Sequence, residues 1–254
     1  PIMGNKVNNT FNHLLEGLFP QHCLLCELPS GRSLPLCVEC MAQLLPNYSH
    51  CRRCALPLPT AAGGAREASA VSPQCGECLR RPPPFDRVIA PWIYEEHLAL
   101  FIHRWKYAGQ QQLSSALARL WLQATGTPPE VDLLVPVPLH WRRLWQRGFN
   151  QAALLARHLR HSAPGPRASR LGTRGVRRVR ATASQTGRGA QRRQSTLQDA
   201  ITVHLPCDKL RVAIVDDVIT TGATAGALAR SLRAAGAERV EVWCLARTPN
   251  PAVA

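Results

Sequence analysis

Two adjacent carboxylates, Asp216 and Asp217, follow the apolar run Val212-Ala213-Ile214-Val215 and precede Val218-Ile219-Thr220-Thr221-Gly222-Ala223-Thr224. Side chains alternate along a strand, so neighbouring charges cannot share one face of a strand that continues. Their place is where a buried strand stops and the chain turns, which is where open α/β sheets bind ligands. The residues that follow suit a phosphate. Thr220, Thr221 and Thr224 supply hydroxyls, Gly222 permits close approach, and a helix starts whose unpaired N–H groups favour an anion. The triphosphate-binding pattern Gly-x-x-x-x-Gly-Lys-Ser/Thr is absent, and no lysine lies nearby. Carboxylates repel phosphate, so the acid pair must address another part of the same ligand. Sugar hydroxyls, with a divalent cation close by, meet that requirement. The bland alternative is a strand–turn–helix with a well-capped helix, but it leaves an unpaired acidic doublet without a structural reason.

A second segment, Val135 to Gln151, follows the apolar run Leu133–Pro138 and carries Arg142, Arg143 and Arg147. After a parallel strand, its loop opens on the same sheet edge as the acid pair. Guanidinium forks match pyrophosphate oxygens, and Gly148 permits the turn into the next helix. Any one of these arginines could instead cover apolar surface or face a helix carboxyl end. Trp141, Trp145 and Phe149 are available for base stacking, with at least one expected in the core.

Charge is concentrated around this segment. The 254 residues carry a formal net charge of +15, yet Leu133 to Gln198 contain fourteen arginines and no Asp or Glu. A local anionic ligand is the expected reason. A solvated basic tract and a nucleic-acid surface are the competing ones.

Eight of the ten cysteines form Cys-x-x-Cys pairs: Cys23/Cys26, Cys37/Cys40, Cys51/Cys54 and Cys75/Cys78. Two such turns make a tetrahedral four-cysteine site, so two structural Zn²⁺ are expected, without an open position for catalysis. Sequential pairing and cross-braced pairing both remain open. Cys207 and Cys244 stand alone, and His97, His103, His140 and His158 show no metal-site spacing.

The elements that must position these groups read as three parts: an amino-terminal segment 1–19, a cysteine module 20–81 and an α/β domain 85–254. A strand is expected over Val88–Tyr94. Helices are expected over Leu98–Lys106, Leu113–Gln123 and Asn150–Arg160, the last capped by Asn150. Further strands are expected over Leu133–Pro138, Ala200–Val203, Lys209–Val215 and Arg239–Leu245, with a helix over Gly222–Ala235. Alternation of this kind predicts a parallel sheet flanked by helices. A mobile loop or hairpin is expected about 162–195, and a loose segment over 57–73. No run is long and apolar enough for a membrane span, and residues 1–20 lack a continuous apolar stretch, so a cytoplasmic protein is expected.

Residues 212–224 resemble the binding motif of type I phosphoribosyltransferases. The wider pattern is similar to the ComF/GntX-like family, bacterial proteins linked to competence and DNA utilisation. It comprises Pro136-Val137-Pro138-Leu139, an arginine before Arg147-Gly148-Phe149-Asn150-Gln151, and the acid pair with its threonine loop. Ser184-Gln185-Thr186-Gly187, Arg192-Arg193 and the amino-terminal cysteine pairs belong to it too. The resemblance covers nearly the whole chain. It implies an α/β fold of type I phosphoribosyltransferase-like architecture with an amino-terminal double zinc ribbon. The implied ligand is 5-phosphoribosyl-1-pyrophosphate with Mg²⁺. Asp216 and Asp217 would hold the ribose hydroxyls, and Val218, Ile219, Thr220, Thr221, Gly222, Ala223 and Thr224 the 5′-phosphate. Arg142, Arg143 and Arg147 would contact pyrophosphate, and the basic tract would close over the site. Acceptor specificity in such enzymes comes from a hood, and none is identifiable here. The alternative is a non-catalytic accessory protein that binds single-stranded DNA, with other DNA-uptake proteins as partners. A nucleotide-responsive regulator ranks last, for want of a DNA-reading helix-turn-helix.

Overall fold

The computed structural model describes residues 22–32, 34–59, 73–107, 109–162, 170–178 and 201–250. Most of the expected basic loop and much of the expected loose segment lie outside these residues, including Ser184, Gln185, Thr186, Gly187, Arg192 and Arg193. The chain divides into two compact units, Pro1–Leu44 and Leu45–Ala254.

Among its described residues the first unit holds one short helix, α1 (Val38–Ala42). Cys37 caps it: its Sγ accepts a hydrogen bond from the Cys40 N–H at 3.4 Å. Leu34 and Leu36 are buried, as are Cys23 and Cys37.

The second unit opens with the turn at Cys51–Cys54 and α2 (Gly76–Arg80). It continues through β1 (Arg87–Ile89), β2 (Trp92–Ile93), α3 (Glu96–Tyr107), α4 (Leu113–Thr125), β3 (Leu133–Pro136), α5 (Trp141–Arg147) and α6 (Gln151–Ser162). Then come β4 (Arg170–Leu171), β5 (Val176–Arg178), β6 (Ile201–Val203), β7 (Arg211–Val215), β8 (Val218–Ile219), α7 (Ala223–Ala234), β9 (Arg239–Trp243) and β10 (Ala246–Arg247).

The main sheet has five parallel strands in the order β1-β9-β7-β3-β4. Its centre is β7, whose Val212–Val215 are fully buried, as a strand covered on both faces requires. Helices flank this sheet, in agreement with the expected parallel α/β class. Leu98, Phe101, Ile102 and Trp105 form the buried stripe of α3. The Trp105 indole donates to Ser114 Oγ at 2.9 Å, both residues being fully buried, which locks α3 to α4.

Three expectations need correction. The strand expected over Val88–Tyr94 is broken after Ile89, and Trp92–Ile93 joins a different sheet, β2-β10-β8. Pro91 lies at the break, where a missing N–H cannot extend the first ladder. The strand expected to end the fold at Leu245 stops at Trp243, and the chain resumes as β10 in that same second sheet. The arginine-rich segment is not all loop. It contains α5, a helix with no buried residue, capped by His140 Nδ1 and ended by Gly148 at φ +75°. The stretch expected as loop or hairpin contains β4, which joins the main sheet, and β5, which pairs antiparallel with β6 beyond it, at the strand expected over Ala200–Val203.

Candidate functional site

The acid pair sits where β7 ends. The Asp216 N–H still donates to the Trp243 carbonyl at 3.0 Å, and then the chain turns. Asp216 Oδ1 accepts from the Asp217 N–H at 2.9 Å, and Asp217 Oδ1 from the Val218 N–H at 2.7 Å. These bonds turn the carboxylates back over their own backbone. Burial, and next the charge of Asp217, raise the Asp216 pKa well above the carboxylate range, against the lowering effects of the Asp217 N–H and Lys106. Asp216 keeps some exposed surface, but the protein packed around it desolvates the group.

Lys106, at the end of α3, forms an ion pair with Asp217 Oδ2. Sequence reasoning missed it, because a lysine 111 positions earlier in the chain is brought to the acid pair only by the docking of α3. Lys106 also lines a cavity of about 580 Å³ together with Tyr107, Gly109, Arg143, Gln146 and Arg147. Arg143 and Arg147 are therefore brought to one cavity. Arg147 lies over the Tyr107 ring at 4.8 Å, donates to its hydroxyl at 2.9 Å and to Gln151 Oε1 at 3.3 Å. Arg142 is not among the lining residues; its guanidinium covers Trp141 at 5.3 Å.

Arg178 on β5 lies within electrostatic range of both Arg143 and Asp216. Burial first, and then the positive charge of Arg143, lower its pKa, while the negative charge of Asp216 opposes them. Its nearness to both was not legible from position 178 alone.

The turn carrying Thr220, Thr221 and Gly222 follows. Thr220 and Thr221 are exposed, and Gly222 precedes α7 at φ +75°, a backbone conformation that disfavours a side chain. The Thr221 hydroxyl accepts from the Ala223 N–H at 3.3 Å. Asn150 behaves as the expected cap, its Oδ1 accepting from the Ala153 N–H at 3.3 Å, while its Nδ2 donates to the Val137 carbonyl at 3.1 Å. Of the aromatic residues considered for stacking, Phe149 is 7% exposed and belongs to the core. Trp141 and Trp145 are 64% and 86% exposed.

The cysteines pair sequentially: Cys23-Cys26-Cys37-Cys40 and Cys51-Cys54-Cys75-Cys78, with the Sγ atoms of each group all within 4.8 Å of one another. Cys26 and Cys37 sulfurs are 3.7 Å apart, and Cys54 and Cys75 sulfurs 3.6 Å. A zinc tetrahedron with Zn–S of about 2.3 Å has edges near 3.8 Å, so both groups fit zinc. Around Cys51, burial raises the thiol, but N–H groups of Cys75, Cys54 and Arg53 outweigh it and bring the pKa down to about 7. Burial pushes Cys54 up to about 11. Cys207 and Cys244 are fully buried, as small core residues are.

One signal was overlooked. His22-Cys23-Leu24-Leu25-Cys26-Glu27-Leu28-Pro29 and His50-Cys51-Arg52-Arg53-Cys54-Ala55-Leu56-Pro57 share histidine, both cysteines, leucine and proline at equal spacing. Both fold alike. The Cys23 and Cys51 N–H groups donate to the Leu28 and Leu56 carbonyls at 2.7 and 2.9 Å, and His22 and His50 bridge to Pro29 and Pro57. Glu27 and Ala55 take the same positive φ, 65° and 54°. The repeat reaches beyond the cysteines themselves.

An amino-terminal pair of four-cysteine ribbons with a parallel α/β sheet, and an acid pair beside a basic cavity, defines the class. The double zinc ribbon domain matches residues 14–80. The chain is 38% identical to the DNA utilization protein YhgH of Salmonella typhi over 237 residues, 90% of this chain and 98% of that protein. It is 32% identical to competence protein F of Haemophilus influenzae over 221 residues, 84% of this chain and 90% of that protein. The chain belongs to this family of DNA utilization and competence proteins. A purine phosphoribosyltransferase from Pyrococcus horikoshii Ot3 superimposes at a TM-score of 0.29 with 19% identity, over 56% of this chain and 74% of that chain, too loosely to bear on fold or activity. No helix among the described residues is long and apolar enough to cross a membrane.

Proposed function

We propose that the chain binds 5-phosphoribosyl-1-pyrophosphate with Mg²⁺ and acts as a phosphoribosyltransferase-type protein in DNA uptake or utilisation. The observation that carries this is Lys106, which both pairs with Asp217 and lines the cavity of Arg143 and Arg147. It joins an acid pair suited to sugar hydroxyls to a basic cavity suited to pyrophosphate. In this reading Asp216 and Asp217 take the ribose hydroxyls, and residues 218–224 take the 5′-phosphate on backbone N–H groups and threonine hydroxyls. Arg143, Arg147 and Lys106 neutralise the pyrophosphate, while Arg142, stacked over Trp141, is outside the cavity. Mg²⁺ would add charge to the same leaving group. The reaction such a site supports is displacement at C1: an acceptor lone pair forms the new bond while the C1–O bond to pyrophosphate breaks, and the basic groups hold the departing anion. Zinc-bound thiols suit a reducing compartment, so this reading includes a cytoplasmic location.

Melting with and without the ligand tests it. At 100 times the Kd, ligand and Mg²⁺ stabilise by about 2.7 kcal/mol, a rise of roughly 5–10 °C. Asp217→Ala loses that shift. No shift at millimolar ligand, or an unchanged shift in Asp217→Ala, defeats the reading.

A second reading has its own observation. Trp141 and Trp145 project from α5 between Arg142, Arg143 and Arg147, with no residue of that helix buried. Stacking platforms flanked by guanidinium groups suit single-stranded DNA. Oligo-dT should quench tryptophan fluorescence in a salt-dependent manner, and Trp145→Ala should weaken binding by about tenfold. Affinity that stays flat with salt removes this reading.

A further inference from the structure

Arg247 is the least expected group around the phosphate turn. It is only 8% exposed, and among the described residues the hydrogen-bond partners of its guanidinium are all backbone carbonyls. Nη1 donates to Ile219 at 3.1 Å, to Thr248 at 2.9 Å and, more closely, to Thr220. Nε donates to the Cys54 carbonyl at 3.1 Å. One side chain thus joins the turn after the acid pair to the knuckle of the second four-cysteine group.

Peptide planarity gives this a consequence. In a trans peptide the carbonyl and the following N–H point in opposite directions. Holding the Ile219 and Thr220 carbonyls inward directs the Thr220 and Thr221 N–H groups away from Arg247, on the exposed side of the turn. An anion cradle needs that orientation. The β8–β10 pairing, Ile219 opposite Arg247, keeps the arginine in register with the turn it holds.

The other end of the link lies on the metal side. The Cys54 carbonyl is oriented by a knuckle whose geometry depends on Cys51 and Cys54 meeting Cys75 and Cys78. A zinc ion bound by four thiolates is a net anion, and it would add negative charge on the side of a buried guanidinium held by carbonyls.

We propose that Arg247 is a positioning residue, and that metal at the second four-cysteine site, acting through it, holds residues 219–222 in their anion-binding shape. This rests on the reading of the turn as the phosphate cradle and deepens it: donor binding depends on the second zinc and not on the first.

Hydrogen exchange across the full zinc-loaded chain, paired with calorimetric titration of 5-phosphoribosyl-1-pyrophosphate and Mg²⁺, tests this. Arg247→Lys keeps the charge but loses the fork. Amides of 219–222 should exchange about tenfold faster and affinity should fall about tenfold, with zinc content unchanged. Cys40→Ser, which disables the first site, should leave the turn as in the parent chain. Chelating the remaining zinc from that variant should then deprotect 219–222 before β7 or β9. The proposal is overturned if Arg247→Lys exchanges and binds like the parent, or if losing the second zinc frees β7 and the turn together. If Arg247→Lys does not fold, the chelation arm alone decides. If the parent binds no donor, the functional reading fails while the exchange contrast still judges the link.

Discussion

The two cysteine knuckles start from the same eight-residue pattern and end in different mechanical situations. In the first, the residue with positive φ is Glu27, exposed, and Cys26 is exposed with it. In the second, the equivalent residue is Ala55, fully buried in the same core as Phe85, Val88 and Ile219. Asn47, 4% exposed, donates to the Ala55 carbonyl at 2.9 Å and to the Ala90 carbonyl at 3.2 Å. Arg53 reaches the Pro83 carbonyl at 3.0 Å, and Arg247 reaches that of Cys54. One ribbon is largely its own compact unit; the other is built into the unit that carries the acid pair. Metal geometry is common to both, so the contrast comes from what each knuckle is packed against.

Losing a ligand at each site should separate them most. Cys78→Ser should lower the main melting transition by about 10 °C or more, since metal binding free energy is folding free energy for the structure it holds. Cys40→Ser should move that transition by no more than roughly 2 °C. Calorimetry with zinc counting reads both, and equal shifts would erase the distinction.

A smaller effect is expected from the polar tie. Asn47→Ala leaves two buried carbonyls without a donor, at a cost of about 2–3 kcal/mol, or roughly 5–10 °C. Ser30, the buried hydroxyl of the first unit, donates to the Arg32 carbonyl at 3.0 Å, and Ser30→Ala should leave the main transition in place. A main-transition shift from Ser30→Ala as large as that from Asn47→Ala would break the comparison.

Chelation kinetics sharpen it further. With Cys26 exposed and three of the four second-site cysteines buried, zinc should leave in two phases, the first site about tenfold faster. A single phase releasing both ions contradicts the difference in packing.

The smallest expected effect concerns Asp216. Its pKa is raised in the folded protein by burial and the neighbouring Asp217 charge, so the native state binds the proton more tightly than the unfolded chain. Stability is full below the ordinary carboxylate range and declines as pH rises through the raised folded value. Asp216→Asn should flatten that decline and raise the neutral-pH Tm of the second unit, while leaving first-site zinc release unchanged. A steeper pH dependence in the variant would reverse the sign of the argument.

How much of this was legible depends on the range of the interaction. The four cysteine turns, the end of β7 and the Asn150 cap were readable because each is decided within a few residues. Helix α5 is marked in the sequence by Trp141, Leu144 and Trp145 at helical spacing and by Gly148 as a left-handed stop, but none of its residues is buried, so no core packing reinforces that short pattern. Phe149 and Trp145 look alike in sequence as stacking candidates, and packing alone sends one inward and leaves the other out.

The sequence by itself determined the donor atoms: eight thiolates in knuckles, two carboxylates at a strand end, three threonines and a glycine before a helix. Short spacings impose local geometry whatever surrounds them. The tertiary structure decided which groups those donors meet. Lys106 reaches Asp217, Arg178 lies near Asp216, and Arg247 spans from Ile219 to Cys54, 193 positions away. Such meetings follow from how helices and sheets pack, and no local spacing encodes them.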